Sequence, residues 1–406
     1  MSPTEIKRFI NQEPYLTIGK AASEFGVKAF IVGGFTRDLL LDRPSKDLDI
    51  VIDGDGVEFA TFLSQKMKGT EVHIFKNFGT AQFLTKKLEI EIVGARKESY
   101  RADSRKPTVE QGSLEDDRKR RDFTINAMSI GLNIEDFGQI IDPFGGMEHL
   151  ANKIIVTPLE PIETYSDDPL RMMRAIRFAS QIGFQIEENS LRAIEEQRER
   201  IRIVSQERIT VELNKIIESP LPSIGFNLLF NTGLLHIIFP KMVGLYGVEK
   251  RNGISHKDNF YHTLKVLDNV AERSDNLWLR WAAILHDIAK PDTKRFDKVH
   301  GWTFHGHEDR GAKMVPRIFG QMKLPLDQKM RFVQNLVKLH LRPIALSNEK
   351  VSDSGVRRLI FDAGDDLDAL MILCESDITS KNDQKVKRFL SNFERVRQKC
   401  KEVEEK

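Results

Sequence analysis

The 406-residue sequence predicts an α+β protein, in which a small mixed β-sheet near the N-terminus is followed by an all-α remainder. Short apolar runs with alternating polarity between residues 28 and 93 are typical of strands. Beyond Pro220 and Pro222 the apolar residues recur at helical spacing instead. A chain of this length also exceeds a usual single domain. We therefore expect a sheet-containing head and a helical neck, body and C-terminal domain.

The composition excludes several classes of protein. Lys and Arg number 62 against 60 Asp and Glu, so any contact with nucleic acid has to come from local basic surface. Two cysteines, Cys374 and Cys400, are too few for a disulfide framework. No run of about 18 apolar residues occurs, so we expect a soluble, cytoplasmic protein with no membrane partner. The sequence leaves the oligomeric state open.

The first chemical pattern begins at a buried strand, Lys28–Val32. Gly33 and Gly34 are predicted to form a turn, and Phe35–Leu41 a short helix that carries Arg37. Backbone N–H groups at such a helix start suit a phosphate group.

A second strand, Lys46–Ile50, carries Asp47 and Asp49. Because strand side chains alternate, both carboxylates project from one face, where they can hold a divalent metal. A metal site beside a phosphate pocket is what phosphoryl or nucleotidyl transfer requires. The next predicted elements are a helix and three strands, at Glu58–Met67, Val72–Phe75, Thr80–Leu84 and Leu88–Val93.

The order Gly-Gly, Arg-Asp and then Asp-Leu-Asp resembles the nucleotidyltransferases of the polymerase-β superfamily. Within them it resembles the class II tRNA nucleotidyltransferase (CCA-adding) and bacterial poly(A) polymerase family. The resemblance implies a third catalytic carboxylate on a neighbouring strand, for which we choose Glu91; the alternative is that Glu89 and Glu91 form an ordinary solvent-facing pair. The residues that it assigns to binding of nucleotide and Mg²⁺ in this region are Gly33, Gly34, Arg37, Asp47 and Asp49.

Residues 96–121 are polar and charged, and we expect a mobile loop over the site. In the resembling family a flexible loop here takes part in the switch to adding the terminal A. Four residues of the loop are candidates for contact with RNA or triphosphate, although a solvated charged loop is the alternative for each: Tyr100, Arg101, Arg105 and Lys106.

Arg120–Ala127 matches the second motif of the family. Arg121 can neutralise a triphosphate oxygen, while Asp122 and Asn126, four residues apart, are expected to share a helical face and hold ribose hydroxyls. The alternative for Asp122 and Thr124 is that they cap this helix. Asp142–Leu150 then resembles the third motif, a hinge between head and neck.

Asp167–Phe178 predicts a helix with one charged stripe at positions 168, 171, 174 and 177. In the family, the matching Asp and Arg present hydrogen bonds to the Watson–Crick edge of the incoming base. The resemblance assigns Asp168 and Arg171 to that role, and Arg174 and Arg177 to triphosphate and RNA. The following motif, Gln206–Ile216, is predicted mainly to pack.

Most histidines of the C-terminal half follow the order H, HD, H, H, D, which resembles the HD superfamily of metal-dependent phosphohydrolases. The imidazole-rich ligand set favours a transition metal such as Mn²⁺, Ni²⁺ or Co²⁺. The alternative is an HD fold that has lost its activity. The resemblance implies one ion at His262, His286, Asp287 and Asp377, with His307 and His340 available for a second.

The function implied is template-independent addition or repair of the 3′-terminal CCA of tRNA from CTP and ATP, with a second phosphohydrolase activity in the HD domain. The alternatives are a poly(A) polymerase, an enzyme adding only A or only CC, and an HD-type hydrolase whose head merely binds nucleotide. The predicted segments are a head at 1–150, a neck at 151–220, a connector at 221–256, an HD domain at 257–380 and a charged helix at 381–406.

Overall fold

The computed structural model describes residues 2–43, 45–67, 70–75, 79–101, 104–348, 353–380 and 382–404. The chain forms two compact units, of which the first comprises Met1–Arg171 with Phe184–Gln197 and the second Met172–Gly183 with Arg198–Lys406. The predicted fold class is confirmed, because the sheet lies in the first unit and the second is mainly helical. The finer boundaries at residues 150, 220, 256 and 380 stay predictions. Within the described ranges, no helix is both long and apolar enough to cross a membrane.

The first unit is built on a sheet whose strands lie in the order β3-β4-β5-β2-β1-β8-β9 in the part of the chain described. Strands β2 and β5 run parallel, and the other neighbours in this sheet are antiparallel. Strands β6 and β7 form a separate hairpin, and β10 pairs with β11 in parallel. The strands of this unit are β1 Ala29–Val32, β2 Asp47–Ile52, β3 Glu71–Phe75, β4 Thr80–Leu84, β5 Glu89–Gly94, β6 Arg96–Arg101, β7 Ser104–Gln111, β8 Ser129–Gly131, β9 Ile140–Ile141, β10 Ile154–Ile155 and β11 Gln185–Ile186.

The helices that accompany this sheet are mostly short. They are α1 Pro3–Ile10, α2 Tyr15–Phe25, α3 Gly33–Leu40, α4 Gly56–Lys66, α5 Leu114–Lys119, α6 Thr124–Ala127, α7 Gly146–Ala151, α8 Pro161–Asp167 and α10 Glu188–Gln197, and the unit boundary falls within α9 Leu170–Ile182.

The two faces of the sheet differ in depth of burial. Leu48 and Ile50 of β2 and Ile90 and Ile92 of β5 are fully buried on one face, where α4 packs against the sheet. The opposite face carries Asp49 and a smaller apolar cluster that includes Phe30, Val32 and Val51. Alternation along β2 therefore anchors one face in the core and leaves the other for polar groups.

Two local predictions for the head were wrong. Gly33 and Gly34 form the first turn of α3 and not a preceding turn, because Gly33 at φ 73° passes directly from strand to helix. The segment predicted as a mobile loop, 96–121, contains the β6–β7 hairpin and α5, because the two strands pair through their backbones. The side chains of residues 98–109, including the four candidates for RNA or triphosphate contact, lie outside the described residues.

The second unit is centred on α16, whose residues from Leu279 to Leu285 are all buried. Helices α11, α15, α19 and α22 pack around it, and two small hairpins, β12–β13 and β14–β15, lie outside this core. Its remaining elements are the 3₁₀ helices Arg198–Ile203 and Gly364–Asp366, the strands β12 Lys250–Arg251, β13 Ile254–Ser255, β14 Arg295–Asp297 and β15 Gly301–Thr303, and the helices α11 Gln206–Ile217, α12 Pro222–Asn231, α13 Leu234–Ile238, α14 Pro240–Val243, α15 Asn259–Ala271, α16 Leu277–Leu285, α17 Lys290–Thr293, α18 His307–Gln321, α19 Gln328–Leu339, α20 Arg342–Asn348, α21 Asp353–Ala363, α22 Leu367–Ser376 and α23 Asp383–Glu404.

Candidate active site and candidate metal centre

The carboxylates of the head lie on two adjacent parallel strands. Asp47 is paired in register with Glu89, and Asp49 with Glu91. Because laterally paired residues of neighbouring strands face the same way, Asp47, Asp49 and Glu91 share one face of the sheet. Glu91 is thus placed where a third carboxylate could act, although its catalytic role stays a prediction.

Asp49 has the most perturbed electrostatics of this group. The pKa of Asp49 is raised to about 6, mainly by burial; Arg121 opposes the shift, and the carboxylates of Glu91 and Asp47 add to it. The ionised form therefore lacks sufficient positive charge nearby. An oxygen-only donor set with this deficit fits a hard divalent cation such as Mg²⁺, and Asp47 and Asp49 would hold it with Glu91 beside them.

These oxygens are spread more widely than those of the second unit. Among the described residues, ligand atoms of three such side chains lie within 4.8 Å of one another only in the second unit, and the head carboxylates form no such group.

Gly33 leaves the space between α3 and the carboxylates open. A Cβ atom at this position would lie 3.0 Å from Oδ2 of Asp49 and 3.1 Å from Nη1 of Arg121. Any side chain would therefore press on both groups, and the positive φ of Gly33 adds backbone strain for other residues. The sequence pattern indicated this glycine for a turn, whereas the structure gives it a steric role next to the candidate catalytic groups.

A hydrogen-bonded network joins the first and second motifs. Nη1 of Arg37 donates to Oδ1 of Asn126 at 2.8 Å, and Nδ2 of Asn126 donates to Oδ1 of Asp122 at 2.9 Å. Asp122 and Asn126 thus meet, but not on one helical face, because Asp122 precedes α6 and the intervening Phe123 is extended. The alternative of side-chain capping fails for Asp122 and for Thr124, since α6 has no such cap. Arg37 orients the amide of Asn126, and direct nucleotide binding by these residues stays a prediction.

Asp117 is a functional candidate that sequence reasoning missed. Its Oδ2 accepts hydrogen bonds from Nε and Nη2 of Arg121 at 3.2 and 3.0 Å, and its Oδ1 accepts two from Arg120. Burial disfavours the Asp117 carboxylate, but these two guanidinium groups hold its pKa below the usual value. Asp117 therefore fixes Arg121 beside Asp49. The signal in the sequence was the spacing of three and four residues from an acidic to two basic residues at the end of a helix.

The predicted base-reading residues of the first unit occur at the start of α9. Oδ1 of Asp168 accepts the backbone N–H of Leu170 at 3.2 Å, so Asp168 also helps to begin the helix. Arg171 is buried, and its Nη2 donates to the carbonyl of Arg120 at 2.5 Å. These contacts fix Asp168 and Arg171 in place, while their role toward a base stays a prediction.

The arginines in the later part of α9 belong to the second unit. Arg177 is buried and pairs with Glu212 of α11 at 2.9 Å, and the guanidinium of Arg174 lies 5.7 Å from the ring of Phe178. The assignment of Arg174 and Arg177 to triphosphate and RNA stays a prediction, and for Arg177 the structure shows a protein partner. Glu212 lies in the motif predicted mainly to pack, whose apolar residues, such as Leu213, are buried.

The second unit brings all six predicted HD residues together. His262 lies on α15 and His307 begins α18, while the others directly follow the ends of α16, α19 and α22. The residues at those helix ends are His286 with Asp287, His340 and Asp377.

Asp287 is shared by two clusters of three potential ligands each. Its Oδ2 lies 3.2 Å from Nε2 of His286 and 3.6 Å from Nε2 of His262. Its Oδ1 lies 3.2 Å from Nε2 of His307 and 3.9 Å from Nε2 of His340. One carboxylate thus faces two imidazole pairs, an arrangement suited to bridging two divalent ions.

Asp377 approaches both histidines of the first cluster. Its Oδ1 lies 2.8 Å from Nε2 of His262 and 3.8 Å from Nε2 of His286. Asp377 follows the end of α22, far along the chain from either histidine. Asp377 therefore lies beside the first cluster, and its role as a fourth ligand stays a prediction.

The outward nitrogen of each imidazole is held by a neighbouring oxygen. Nδ1 of His286, His307 and His340 each lies 2.7 Å from the carbonyl oxygen of the residue three positions earlier. Nδ1 of His262 lies 3.0 Å from Oγ1 of Thr379. A carbonyl oxygen only accepts, so Nδ1 of His286, His307 and His340 donates outward, and in their neutral form Nε2 turns its lone pair inward, as in most metal-ligating histidines.

The electrostatics of this cluster also fit metal binding. Burial, with His286 nearby, lowers the pKa of His340 to about 4, so its imidazole is neutral near pH 7. Burial disfavours the ionised Asp377, but His262 and His286 lower its pKa to about 2. Burial lowers the pKa of His286, but the carboxylates of Asp287 and Asp377 raise it above its usual value; in the described part of the chain its Nε2 makes no well-formed hydrogen bond. The neutral imidazole of His340 and the ionised carboxylates of Asp287 and Asp377 belong to a donor set that divalent transition metals prefer.

Two further residues at the centre were not found from the sequence. Nζ of Lys290 lies 2.6 Å from Oδ2 of Asp287, and together with His286 it holds the pKa of Asp287 well below its usual value although burial opposes this. Sγ of the buried Cys374 donates to the carbonyl of His340 at 3.0 Å. Lys290 follows Asp287 by three residues, a spacing that could have indicated the contact.

Three family models match consecutive parts of the chain. They describe a poly A polymerase head domain at residues 29–156, a probable RNA and SrmB-binding site of polymerase A at 183–245 and an HD domain at 259–371. The fold and the two centres thus define a protein with a nucleotidyltransferase head joined to an HD domain. The HD match ends at residue 371, before Asp377. The structure nevertheless brings Asp377 to the histidine cluster.

Known relatives agree with this class. The multifunctional CCA protein of Haemophilus influenzae is 33% identical over 322 residues, which are 74% of this chain and 71% of that protein. An A-adding tRNA nucleotidyltransferase of Aquifex aeolicus is 44% identical over 160 residues, 39% of this chain, but only 19% of that enzyme's length is covered. The solved structure of a tRNA-processing enzyme with CTP is 25% identical with a TM-score of 0.66, covering 92% of this chain and 90% of that one. The chain belongs to the CCA-adding enzyme family of tRNA nucleotidyltransferases.

Proposed function

We propose that the protein adds or repairs the 3′-terminal CCA of tRNA, using CTP and ATP, in the cytoplasm. The observation that carries the proposal is the placement of Asp47, Asp49 and Glu91 on one sheet face beside Arg121. In the reaction a bond forms between the terminal ribose oxygen of the tRNA and the α-phosphorus, and the bond to pyrophosphate breaks. Arg121, held by Asp117, supplies positive charge near the phosphates. Mg²⁺ bound at the carboxylates would neutralise charge on the leaving pyrophosphate.

The choice of base is assigned to Asp168 and Arg171. Both are fixed by contacts within the first unit, so their hydrogen-bonding groups are preorganised. Ribose selection is assigned to Asp122 and Asn126, whose carboxylate and amide meet in one network.

The test of this function uses tRNA that ends at the discriminator base. The full-length protein is incubated with this tRNA and with CTP alone, ATP alone or both, and the products are sized. Three added nucleotides with both substrates, and none in the Asp49→Asn variant, are the expected result. Addition of A alone or CC alone would instead identify a partial enzyme, and long A tracts a poly(A) polymerase.

A second activity is favoured by the cluster around Asp287. We propose that the second unit hydrolyses phosphoesters with Mn²⁺, Ni²⁺ or Co²⁺ held by His262, His286, Asp287 and Asp377, and a second ion at His307 and His340. The bound ions would supply a nucleophilic water near neutral pH. Hydrolysis of p-nitrophenyl phosphate and of 2′,3′-cyclic AMP with each ion tests it. No hydrolysis and no stoichiometric ion binding would identify the cluster as purely structural.

The alternative from another class is a hydrolase whose head only binds nucleotide. This alternative predicts that the head transfers no nucleotides. It requires that the protein extend no tRNA under any combination of nucleotides. The same incubation therefore decides between the two.

A further inference from the structure

Two small hairpins of the second unit carry a local excess of positive charge. They are β12–β13 and β14–β15, and we define the hairpin surface as residues 250–255 and 295–303, which comprise their strands and turns. Four cations and one carboxylate give this surface a formal charge of +3 with histidine neutral, whereas the whole 406-residue chain has +2. Local concentration of charge of this kind favours contact with a polyanion.

The positive charges of the hairpin surface are available to a ligand. They are Lys250, Arg251, Arg295 and Lys298, and all four residues are exposed. Within the described ranges, no carboxylate lies within ion-pairing distance of any of them. The single carboxylate of the surface, Asp297, accepts the backbone N–H groups of Val299 and His300, and the flanking Glu249 pairs with Lys294. Neither acid therefore neutralises these four side chains.

Contacts between the two hairpins fix the backbone of this surface. Nε1 of Trp302 donates to the carbonyl oxygen of Ile254 at 3.2 Å, and a Cβ atom on Gly301 would lie 3.0 Å from Cγ2 of Ile254. Asn252 and Gly253 have φ angles of 50° and 77°, which suit a tight two-residue hairpin turn. The charged side chains therefore project from paired strands that pack against each other.

Aromatic rings hold one cation of the hairpin surface and one beside it. The guanidinium of Arg251 lies 4.9 Å from the ring centroid of Phe296, and Nζ of Lys294 lies 5.4 Å from that of Trp302. The two rings make a T-shaped contact at 5.2 Å. A cation that already rests on a ring loses less conformational freedom when it meets an anion, so part of the surface is preorganised for binding.

The position of these charges favours RNA as the polyanion. Lys250 lies on β12, Arg295 on β14 and Lys298 in the turn after it, so the charges are spread along two hairpins. The match to an RNA-binding site ends at residue 245, five residues before Lys250, and the HD match begins at residue 259. Hairpin β12–β13 thus directly follows a segment that resembles an RNA-binding site, in a chain that belongs to a family of tRNA nucleotidyltransferases.

We propose that the hairpin surface binds the phosphate backbone of tRNA without reading its sequence. Lys and Arg contacts to phosphates position a nucleic acid and supply affinity, but they carry no direct information about its bases. The inference rests on the proposed nucleotide addition only for the identity of the RNA. It adds a contact surface that lies outside both candidate centres and outside the matched RNA-binding segment.

The binding test measures the affinity of the full-length protein for fluorescently labelled tRNA at several salt concentrations, without CTP or ATP. The hairpin variant, Lys250→Gln/Arg295→Gln/Lys298→Gln, should bind at least about tenfold more weakly at about 0.1 M salt. The slope of log affinity against log salt should also become shallower by about 2 to 3, since each lost phosphate contact removes roughly 0.7–0.9. Both effects should be the same for tRNA with and without its terminal CCA.

Two control variants separate this surface from net charge. Lys313→Gln/Arg317→Gln/Lys338→Gln removes the same three charges from exposed positions on α18 and α19 of the same unit and should keep the affinity and the slope of the parent. Lys250→Arg/Lys298→Arg keeps the charges on the hairpins and should also bind as the parent does. Equal loss in the α18 and α19 variant would assign the effect to net charge and overturn the proposal.

Hydrogen exchange locates the contact directly. Saturating tRNA should slow amide exchange in residues 250–255 and 295–303 of the unmutated protein. The substituted side chains of the hairpin variant are exposed and make no ion pair in the described part of the chain, so this variant should keep the unfolding midpoint of the parent. Parental affinity and slope in the hairpin variant, or tRNA protection that leaves both hairpins unchanged, would overturn the proposal.

The kinetic test separates this proposal from the activity on which it rests. In nucleotide addition the hairpin variant should raise KM for tRNA severalfold, with kcat and KM for ATP unchanged, because the hairpins belong to the second unit and the candidate catalytic carboxylates to the first. Addition with an unchanged KM for tRNA would remove the hairpin surface while the proposed activity stands. Absence of addition with the binding differences intact would remove the activity while the surface stands.

Discussion

Replacing Asp49 by Asn should stabilise the metal-free protein while abolishing nucleotide addition. Asp49 is partly buried on the sheet face next to Glu91, and its pKa is raised to about 6 from an ordinary 3.8, mainly by burial. Its ionised form is therefore less favourable in the folded protein than in the unfolded chain. A neutral amide of the same shape removes this penalty and also removes a metal-binding oxygen.

The size of the effect follows from the shift in pKa. A shift of about two units corresponds to about 3 kcal/mol when the carboxyl is ionised in both states. The opposition of Arg121 is already part of this shift. At pH 7.5 the Asp49→Asn variant should thus gain up to about 3 kcal/mol in free energy of unfolding.

The sign of the pH dependence is fixed by the direction of the shift. A carboxyl whose pKa is raised on folding contributes stability that is fully present below pH 3.8 and is lost as pH rises through about 6. The advantage of the Asp49→Asn variant should therefore shrink to about 0.5 kcal/mol at pH 4. Urea unfolding of both proteins, with chelator present, at pH 7.5 and pH 4 measures it.

Asp47→Asn provides the matched control. Asp47 lies on the same strand and face but is exposed, so its replacement should change the free energy of unfolding by less than about 0.5 kcal/mol at either pH. Both variants should lose nucleotide addition. An Asp49→Asn variant that is less stable than the parent at pH 7.5, or that is stabilised as much at pH 4 as at pH 7.5, would refute the account of a desolvated carboxylate.

Three further predictions concern the other groups of the two centres. Asp117→Asn should raise KM for ATP about tenfold or more, because Arg120 and Arg121 lose a buried counter-charge. The control Glu115→Gln, an exposed change on the same helix, should leave KM unchanged. Equal KM values in both variants would make Asp117 a purely structural residue. Asp287→Asn should abolish binding of both metal ions in calorimetry, whereas His340→Ala should abolish binding of one ion only. CCA addition should be unchanged in both variants. Loss of both ions in His340→Ala would refute the two-cluster arrangement. Arg171→Lys should reduce discrimination between CTP or ATP and UTP or GTP about tenfold or more in single-turnover assays, and uniform slowing with all four would assign Arg171 to packing.

Periodicity and motif order were sufficient to predict much of the head. The alternation in β2 correctly indicated that Asp47 and Asp49 share a face, since a strand places every second residue on the same side. It could not reveal that Glu91 lies beside Asp49, because that contact depends on the parallel pairing of β2 with β5, two strands that β3 and β4 separate along the chain. Pairing between strands depends on the whole sheet, which local patterns do not encode.

The errors in the head have a common physical origin. The 96–121 segment was predicted as a loop because it has few apolar residues, yet β6 and β7 pair with each other through backbone hydrogen bonds. Asp122 was predicted to lie on a helix from a four-residue spacing, although an extended residue before a one-turn helix gives the same contact with Asn126. Spacing therefore indicated which side chains meet more reliably than which backbone conformation brings them together.

The two candidate metal sites differ in their ligand atoms and in their exposure to solvent. In the head, Asp47 and Glu91 are exposed carboxylates around the more buried Asp49, so the site remains open to ions that arrive with a triphosphate. In the second unit, the Nε2 atoms are held toward Asp287 by oxygens behind each ring, and Asp287 itself is 2% exposed. For the cations that we propose, an open oxygen site favours fast exchange with solvent, whereas a buried imidazole site favours slow exchange. The exposed strand face thus suits a reaction whose product and pyrophosphate must leave together with the ion, and the buried cluster suits a reaction in which only the substrate exchanges.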